Sequence, residues 1–153
     1  MSSSDLLSPI ITRLNSMPPV QALQLRIESY SANNLRLAAP LNANINDKGN
    51  AFGGSLASVM TLSAWALVSA KLMEAGFNAD VYVQDSTLRY LAPLYDDLVS
   101  EARLSNEESW ETLIHTFSQR GKARATLSAE IRAHDGTVCC TLEGRFVAMK
   151  PKV

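Results

Sequence analysis

The sequence predicts an α+β fold: an antiparallel sheet of about six strands wrapped around one long central helix. Three observations lead there. First, the stretch Gly53 to Gly76 has no charged residue from Ser55 to Ala70 and is rich in helix-forming Ala, Leu and Met. Second, the segments on both sides of it alternate apolar and polar residues with period two, the signature of half-buried strands. Third, no repeat, low-complexity tract or linker interrupts the chain, so residues 1–153 read as one domain.

The elements follow in order. Met1 to Ser4 is polar and reads as a frayed terminus. Ser8-Pro9 begins a short helical pattern in which Ile10, Ile11 and Leu14 share a face. Met17 closes it, because a residue before proline avoids the helical region. Leu23, Leu25 and Ile27 then alternate with Gln24, Arg26 and Glu28, giving a strand over Ala22 to Tyr30. A turn at Ser31 to Asn33 leads to a second strand, Asn34 to Ala39, and these two make a hairpin with one wet face. A polar loop, Asn42 to Asn50, precedes the long helix. That helix is apolar nearly all round, which demands burial or a membrane. Its uncharged run is shorter than a typical span and holds five hydroxyls (Ser55, Ser58, Thr61, Ser63, Ser69), so burial in a soluble core is expected. Gly76 sits where a left-handed terminator belongs, with Lys71 near the negative end of the helix dipole.

Val81 to Leu91 reads as a strand apolar on both faces, which must be shielded on both sides or paired at an interface. Leu98 to Leu104 alternates cleanly. Asn106 to Gln119 carries a helical stripe of Trp110, Leu113, Ile114 and Phe117, broken by Gly121. Two long strands end the chain, joined at His134-Asp135-Gly136, where Asp-Gly is a strong hairpin signal. Curling such a sheet around the helix gives the architecture called the hotdog fold. If the doubly apolar third strand pairs with its own copy, the expected unit is a homodimer, with a dimer of dimers left open.

Composition narrows the function. Lys and Arg number 14 against 15 Asp and Glu, which argues against a nucleic-acid or anionic-membrane binder. No secretory leader is visible, and Cys139 and Cys140 are adjacent on a strand with side chains on opposite faces. A reducing, cytoplasmic setting fits, and no metal-ligand spacing is present.

The chemistry is expected where the loop enters the helix. Asn46-Asp47-Lys48-Gly49-Asn50-Ala51-Phe52-Gly53-Gly54-Ser55-Leu56 ends in two glycines at a helix start. Glycines there leave amide hydrogens unshielded, at the positive end of the helix dipole, where a developing oxyanion would be stabilised. Alternatively, Gly-Gly serves only a tight turn and close packing. This string, with the uncharged helix behind it, resembles the helix-start motif of hotdog acyl-CoA thioesterases. KGNAFGGSL, Leu62, Trp65 and the later Arg89 to Pro93 resemble most a thioesterase-like domain found alone or at the C-terminus of bacterial GNAT-like acetyltransferase proteins, over about Leu7 to Met149. The resemblance implies thioester hydrolysis in a homodimer with the acyl-CoA between subunits and no separate cofactor, coenzyme A being part of the substrate. It implies that Gly53 and Gly54 polarise the carbonyl and that Asn46 places the water or the thioester. Phe52 stands where relatives often carry His and would line the acyl pocket with Met60 and Trp65, near Ser55 at the first turn.

One departure is large. Thr61 occupies the position of the catalytic Asp or Glu in many relatives, and the helix has no carboxylate before Glu74. A hydroxyl lacks the pKa of a base near neutrality, though it can orient water. Asp47 and Asp85 are the alternative carboxylates. Asp85 is placed by alternation with Val81, Val83, Thr87 and Leu91, with Arg89 as a structural ion-pair partner on the same face. Lys48, Arg120, Lys122 and Arg124 are candidates for the phosphates of coenzyme A, or simply solvated cations. Two rivals remain: a non-catalytic dimer binding acyl-CoA or acyl-carrier protein, and a hydratase or dehydratase of the same fold. The latter needs an acid–histidine pair, which neither His115 nor His134 is positioned to supply.

Overall fold

The structure is a computed structural model that describes residues 3–31 and 33–152. Helix α1 spans Ser3–Asn15, starting earlier than the apolar stripe predicts and running through Pro9; Met1 and Ser2 lie outside the described residues. Met17 is extended, as its position before proline requires, and a short helix α2, Pro18–Gln21, follows at once. The sequence reading gave these residues to neither helix nor turn, yet proline at the first two positions of a helix is favourable. Gln24, at φ 58°, then redirects the chain, so strand β1 is Arg26–Ser31 and starts four residues later than the alternation suggests.

Strand β2 is Asn34–Ala39, and a single 3₁₀ turn covers Leu41–Ala43. The long helix α3 is Gly53–Glu74. It ends as predicted: Gly76 adopts φ 87°, its amide donates to Met73 O, and the Phe77 amide donates to Leu72 O. Strands β3 Asp80–Tyr90 and β4 Leu98–Leu104 follow, then α4 Trp110–Arg120. Ser109 caps α4 by accepting from the Thr112 amide, and Gly121 closes it at φ 70°. Strands β5 Lys122–Arg132 and β6 Val138–Met149 complete the chain around the Asp-Gly turn.

The six strands form one antiparallel sheet in the order β1-β2-β4-β5-β6-β3. This is the hotdog arrangement, with α3 held in the curl of the sheet. By length and composition α3 could cross a bilayer, but most of it is buried inside the chain, as the sequence reading expects. Val59, Met60, Ala64, Ala66, Leu67 and Ala70 are fully enclosed, against Leu35 and Leu37 of β2, Ala102 of β4 and Leu127 and Ile131 of β5. One helix hydroxyl does local work: buried Ser63 donates to Met60 O and lies 2.8 Å from Ser100 Oγ on β4. Helix α4 covers one end of the core, where Phe117 meets Phe77 edge-on at 5.5 Å.

Two edges of the sheet stay open, β1 and β3. The β3 edge differs because its large side chains are uncovered: Val83, Tyr90 and the following Leu91 are 44%, 57% and 58% exposed. The strand also bends. Gln84 is an extra residue between the pairs Val83–Phe146 and Asp85–Arg145. Side chains opposite one another share a face. Val81 and Val83 therefore face the core, whereas Asp85, Thr87 and Arg89 face outward.

Candidate active site

The loop before α3 is a miniature hairpin. The Phe52 amide donates to Asn44 O at 2.7 Å, Ile45 and Ala51 form a bridge, and the Asn46 amide donates to Asn50 O at 2.8 Å. Gly49, at φ 83°, makes the reversal. Asn46 holds this turn together with its side chain. Its Oδ1 accepts from the amides of Lys48 (2.8 Å) and Asn50 (3.2 Å), and its Nδ2 donates to Asn50 Oδ1 (2.8 Å). An amide nitrogen has two hydrogens, so one has no acceptor among the described residues. Buried Asn44 anchors the hairpin to the body, its Nδ2 donating to Leu23 O and Pro40 O. The Ala51 amide bonds Leu94 O, which draws the 91–97 segment alongside.

The helix therefore starts at a fixed point, and it starts uncapped. Phe52 is the N-cap residue and offers no side-chain acceptor. The amides of Gly53, Gly54 and Ser55 have no hydrogen-bond acceptor among the described residues, and Gly54 is exposed. Three amide hydrogens at the positive end of a 22-residue helix are thus available to an oxygen. Gly54 also makes room for the Phe52 ring, whereas Gly53 has space to spare. A Cβ on Gly54 would lie 2.5 Å from the Phe52 ring, whereas one on Gly53 would lie 3.8 Å from Tyr90. Phe52, Ile45, Tyr90, Leu91 and Tyr95, all largely exposed, make an apolar collar around this tip.

From the tip, a half-exposed stripe runs down α3 through Gly54, Ala57, Ser58, Thr61, Leu62 and Trp65. It lies along β3 and is tied to it at both ends. Tyr90 Oη donates to Gly53 O (3.3 Å), and Trp65 Nε1 donates to Val81 O (3.0 Å). The tip, the stripe and the open edge of β3 form one continuous uncovered side of the molecule.

The chain that carries these features matches a known family. A family model described as "Putative thioesterase (yiiD_Cterm)" matches residues 10–150. The chain belongs to this thioesterase family. Among solved structures, a protein of unknown function from Chlorobaculum tepidum superposes with a TM-score of 0.86 at 29% identity, over 94% of each chain. A putative thioesterase from Shewanella oneidensis gives 0.84 at 29% identity, over 97% of this chain and 99% of that one. A protein termed a probable thioesterase from Pseudomonas aeruginosa gives 0.78 at 24% identity, over 99% and 97%, a likeness of fold.

Within this thioesterase fold the predicted site residues divide. Gly53, Gly54, Phe52 and buried Ser55 come together at the tip, and Thr61 sits on the open stripe, seven residues further along. Asn46 adjoins the tip, but its side chain is mostly spent on its own turn. Met60 does not line a pocket: it is fully buried on the sheet side of α3, one residue off the stripe. Asp85 is not on the face predicted for it, because the bulge at Gln84 turns it outward, and its partner is Arg145 on β6, not Arg89. Hydrogen bonding from Arg145 holds the Asp85 carboxyl below the usual carboxylate range, the opposite of a base poised near neutrality. Asp47 is exposed and paired with Lys48. Lys122 and Arg124 lie level with Asp80 and Tyr82, the far end of β3 from the tip; Arg124 Nε donates to Gln84 Oε1. His115 and His134 are exposed, and His134 is tied to Asp96. A hollow of about 410 Å³ lies on the outer sheet face among Thr87, Arg89, Arg103, Glu130 and Glu143, walls too charged for an acyl chain.

Sequence reasoning missed Asn44 and Ser58. Asn44 carries no pattern of its own in a polar loop. Ser58 shares the open face with Gly54 and Thr61, a relation visible in the three- and four-residue spacing once the buried side of the helix is known.

Proposed function

We propose that the chain hydrolyses the thioester of an acyl-CoA or acyl-carrier protein, as a cytoplasmic homodimer without a separate cofactor. One observation carries the reading: the amides of Gly53, Gly54 and Ser55 stand uncapped within an apolar collar, beside an uncovered strand edge. The carbonyl oxygen accepts hydrogen bonds from the amides, and the acyl chain lies against Phe52 and its neighbours. Water attacks the carbonyl carbon, and the amides stabilise the oxyanion that forms. The added water gives one proton to solvent; when the oxyanion collapses, the C–S bond breaks, the thiolate leaves with the electron pair and takes up a proton, and the carboxylic acid gives up its own proton to solvent. Ser58 and Thr61 hydroxyls on the open stripe orient the water, and the second hydrogen on Asn46 Nδ2 helps hold the thioester.

The open β3 edge supports the dimer. An edge strand with exposed apolar side chains is a template for pairing, and pairing with a second copy would cover Val83, Tyr90 and the α3 stripe together. The absence of a carboxylate on α3 before Glu74 favours a second reading, a dimer that binds acyl thioesters without cleaving them. Thiol release from acyl-CoAs of two to sixteen carbons, followed with a colour reagent, separates the two. Turnover above that of an Asn46→Ala/Thr61→Ala double variant supports hydrolysis; tight binding without turnover supports the second reading.

A further inference from the structure

We propose that each site is completed by Trp65 of the partner subunit, which forms the wall where the acyl chain ends. The inference rests on the hydrolase reading above and goes beyond it in naming a residue supplied across the interface. It follows from how α3 is fastened to β3. The C-terminal end of the strand is tied to the tip through Tyr90 and Gly53. The N-terminal end is tied to the last residue of the open stripe through Val81 and Trp65. A strand that pairs antiparallel with its own copy sets the beginning of one against the end of the other. Trp65 of one subunit is thereby carried to the tip of the next.

The register can be read from the strand. Core-facing residues must meet core-facing residues, and outward ones must meet outward ones. Pairing Val83 with Ser86 and Val81 with Leu88 of the second copy satisfies this on both faces. It also sets Asp80 opposite Arg89 of the partner subunit at each end. Neither Asp80 nor Arg89 has a charged partner among the described residues, so the two ends of the strand are complementary as they stand. Val81, which holds Trp65, then sits beside the partner's Leu88, two residues or about 7 Å from the Tyr90 that holds the partner's Gly53. An indole at that point faces the amide tip across a single strand spacing. The same pairing brings Lys122 and Arg124, remote from the tip in their own chain, level with the partner's Arg89 and Thr87, toward the neighbouring site.

The test uses chain-length preference in mixed dimers. Removing the wall should let longer chains enter, so Trp65→Ala should raise the ratio of kcat/KM for long over short acyl thioesters about tenfold. Trp65→Leu, which keeps an apolar body in place, should shift the ratio less and guards against misfolding. Co-expressing the Trp65→Ala chain with a Gly53→Pro chain, which lacks one tip amide, and isolating the mixed dimer through a different affinity tag on each chain, gives dimers in which one site carries both changes and the other neither. Return of the wild-type ratio supports the inference; a ratio that stays at the Trp65→Ala value overturns it. The register is read without turnover. An Asp80→Cys/Arg89→Cys chain should form disulfide-linked dimers under mild oxidation, since opposed Cβ atoms on paired strands lie about 5 Å apart. A dimer that does not cross-link overturns the proposed pairing, whereas cross-linking of this variant together with an unsubstituted chain that cleaves no thioester leaves the pairing standing and removes the hydrolase reading.

Discussion

Ser63 and Ser100 give the sharpest test of how the central helix is held. Both are fully buried, and their oxygens are 2.8 Å apart. Ser63 has a single hydroxyl hydrogen and gives it to Met60 O. Ser100 must therefore be the donor to Ser63, which makes the pair unequal. Ser63→Ala strands a buried donor on Ser100 and should cost about 2 kcal/mol. Ser100→Ala removes only one bond to an oxygen that still uses its own hydrogen, at about 1 kcal/mol. The double variant leaves no orphan and should cost about 1 kcal/mol, not the sum of about 3. Urea unfolding at one fixed protein concentration measures this, the concentration being held because a dimer's stability depends on it. In thermal unfolding 1 kcal/mol corresponds to roughly 2–4 °C for a chain of this size. Additive single changes, or a more harmful Ser100→Ala, would refute the assigned direction of the bond.

Other outcomes follow from the same geometry. Met60→Ala should cost about 2–5 kcal/mol in unfolding experiments and leave the acyl-chain preference unchanged, because Met60 faces the sheet. Asp85→Asn should leave the pH–rate profile of thioester hydrolysis unaltered, because the carboxylate faces outward against Arg145. The Asp85 carboxyl titrates below its ordinary 3.8, chiefly through hydrogen bonding from Arg145; the stability it adds is present above 3.8 and lost as pH falls through the folded value. Because both groups are solvated, that acid-side loss should be small and should vanish in Asp85→Asn. Tyr30 behaves in the opposite sense: burial and then its hydrogen bond to Glu74 raise its pKa above the ordinary 10.0. Its contribution is complete below pH 10.0 and is lost as pH climbs toward the folded value, so Tyr30→Phe should flatten the alkaline decline of Tm.

The parts legible in the sequence are those set by short-range pattern. The charge-free run of α3, the Schellman glycine at Gly76, the turn at Gly136 and the alternation of β5 and β6 each have one dominant cause, and all lie where the residues place them. The tip was legible too, because two glycines at a helix start have few physical uses. Other features depend on tertiary context. The bulge at Gln84 has no sequence mark, yet it moved Asp85 from the core face to solvent and exchanged its expected partner Arg89 for Arg145. Met60 lies one step, about 100°, from Thr61 on a helix apolar all round, so composition offered no way to tell the open side from the closed one. The motif alone suggests that Asn46 places the water or the thioester. The structure gives it the local task of closing a turn, which Asn performs without help from the rest of the fold.

The central claim is that the free amides at the start of α3 hold the thioester oxygen, and Gly53→Pro isolates it. Gly53 is the first helical residue, where proline is tolerated; Phe52 before it is already extended, at φ −65° and ψ 131°. The nearest neighbour of an added Cβ is Tyr90, at 3.8 Å. The substitution therefore deletes one amide hydrogen and leaves the helix in place. Measured on the best acyl thioester, kcat should fall about 10²–10³-fold while Tm stays within a few degrees of the parent. A folded Gly53→Pro chain that hydrolyses at the parent rate would contradict the account.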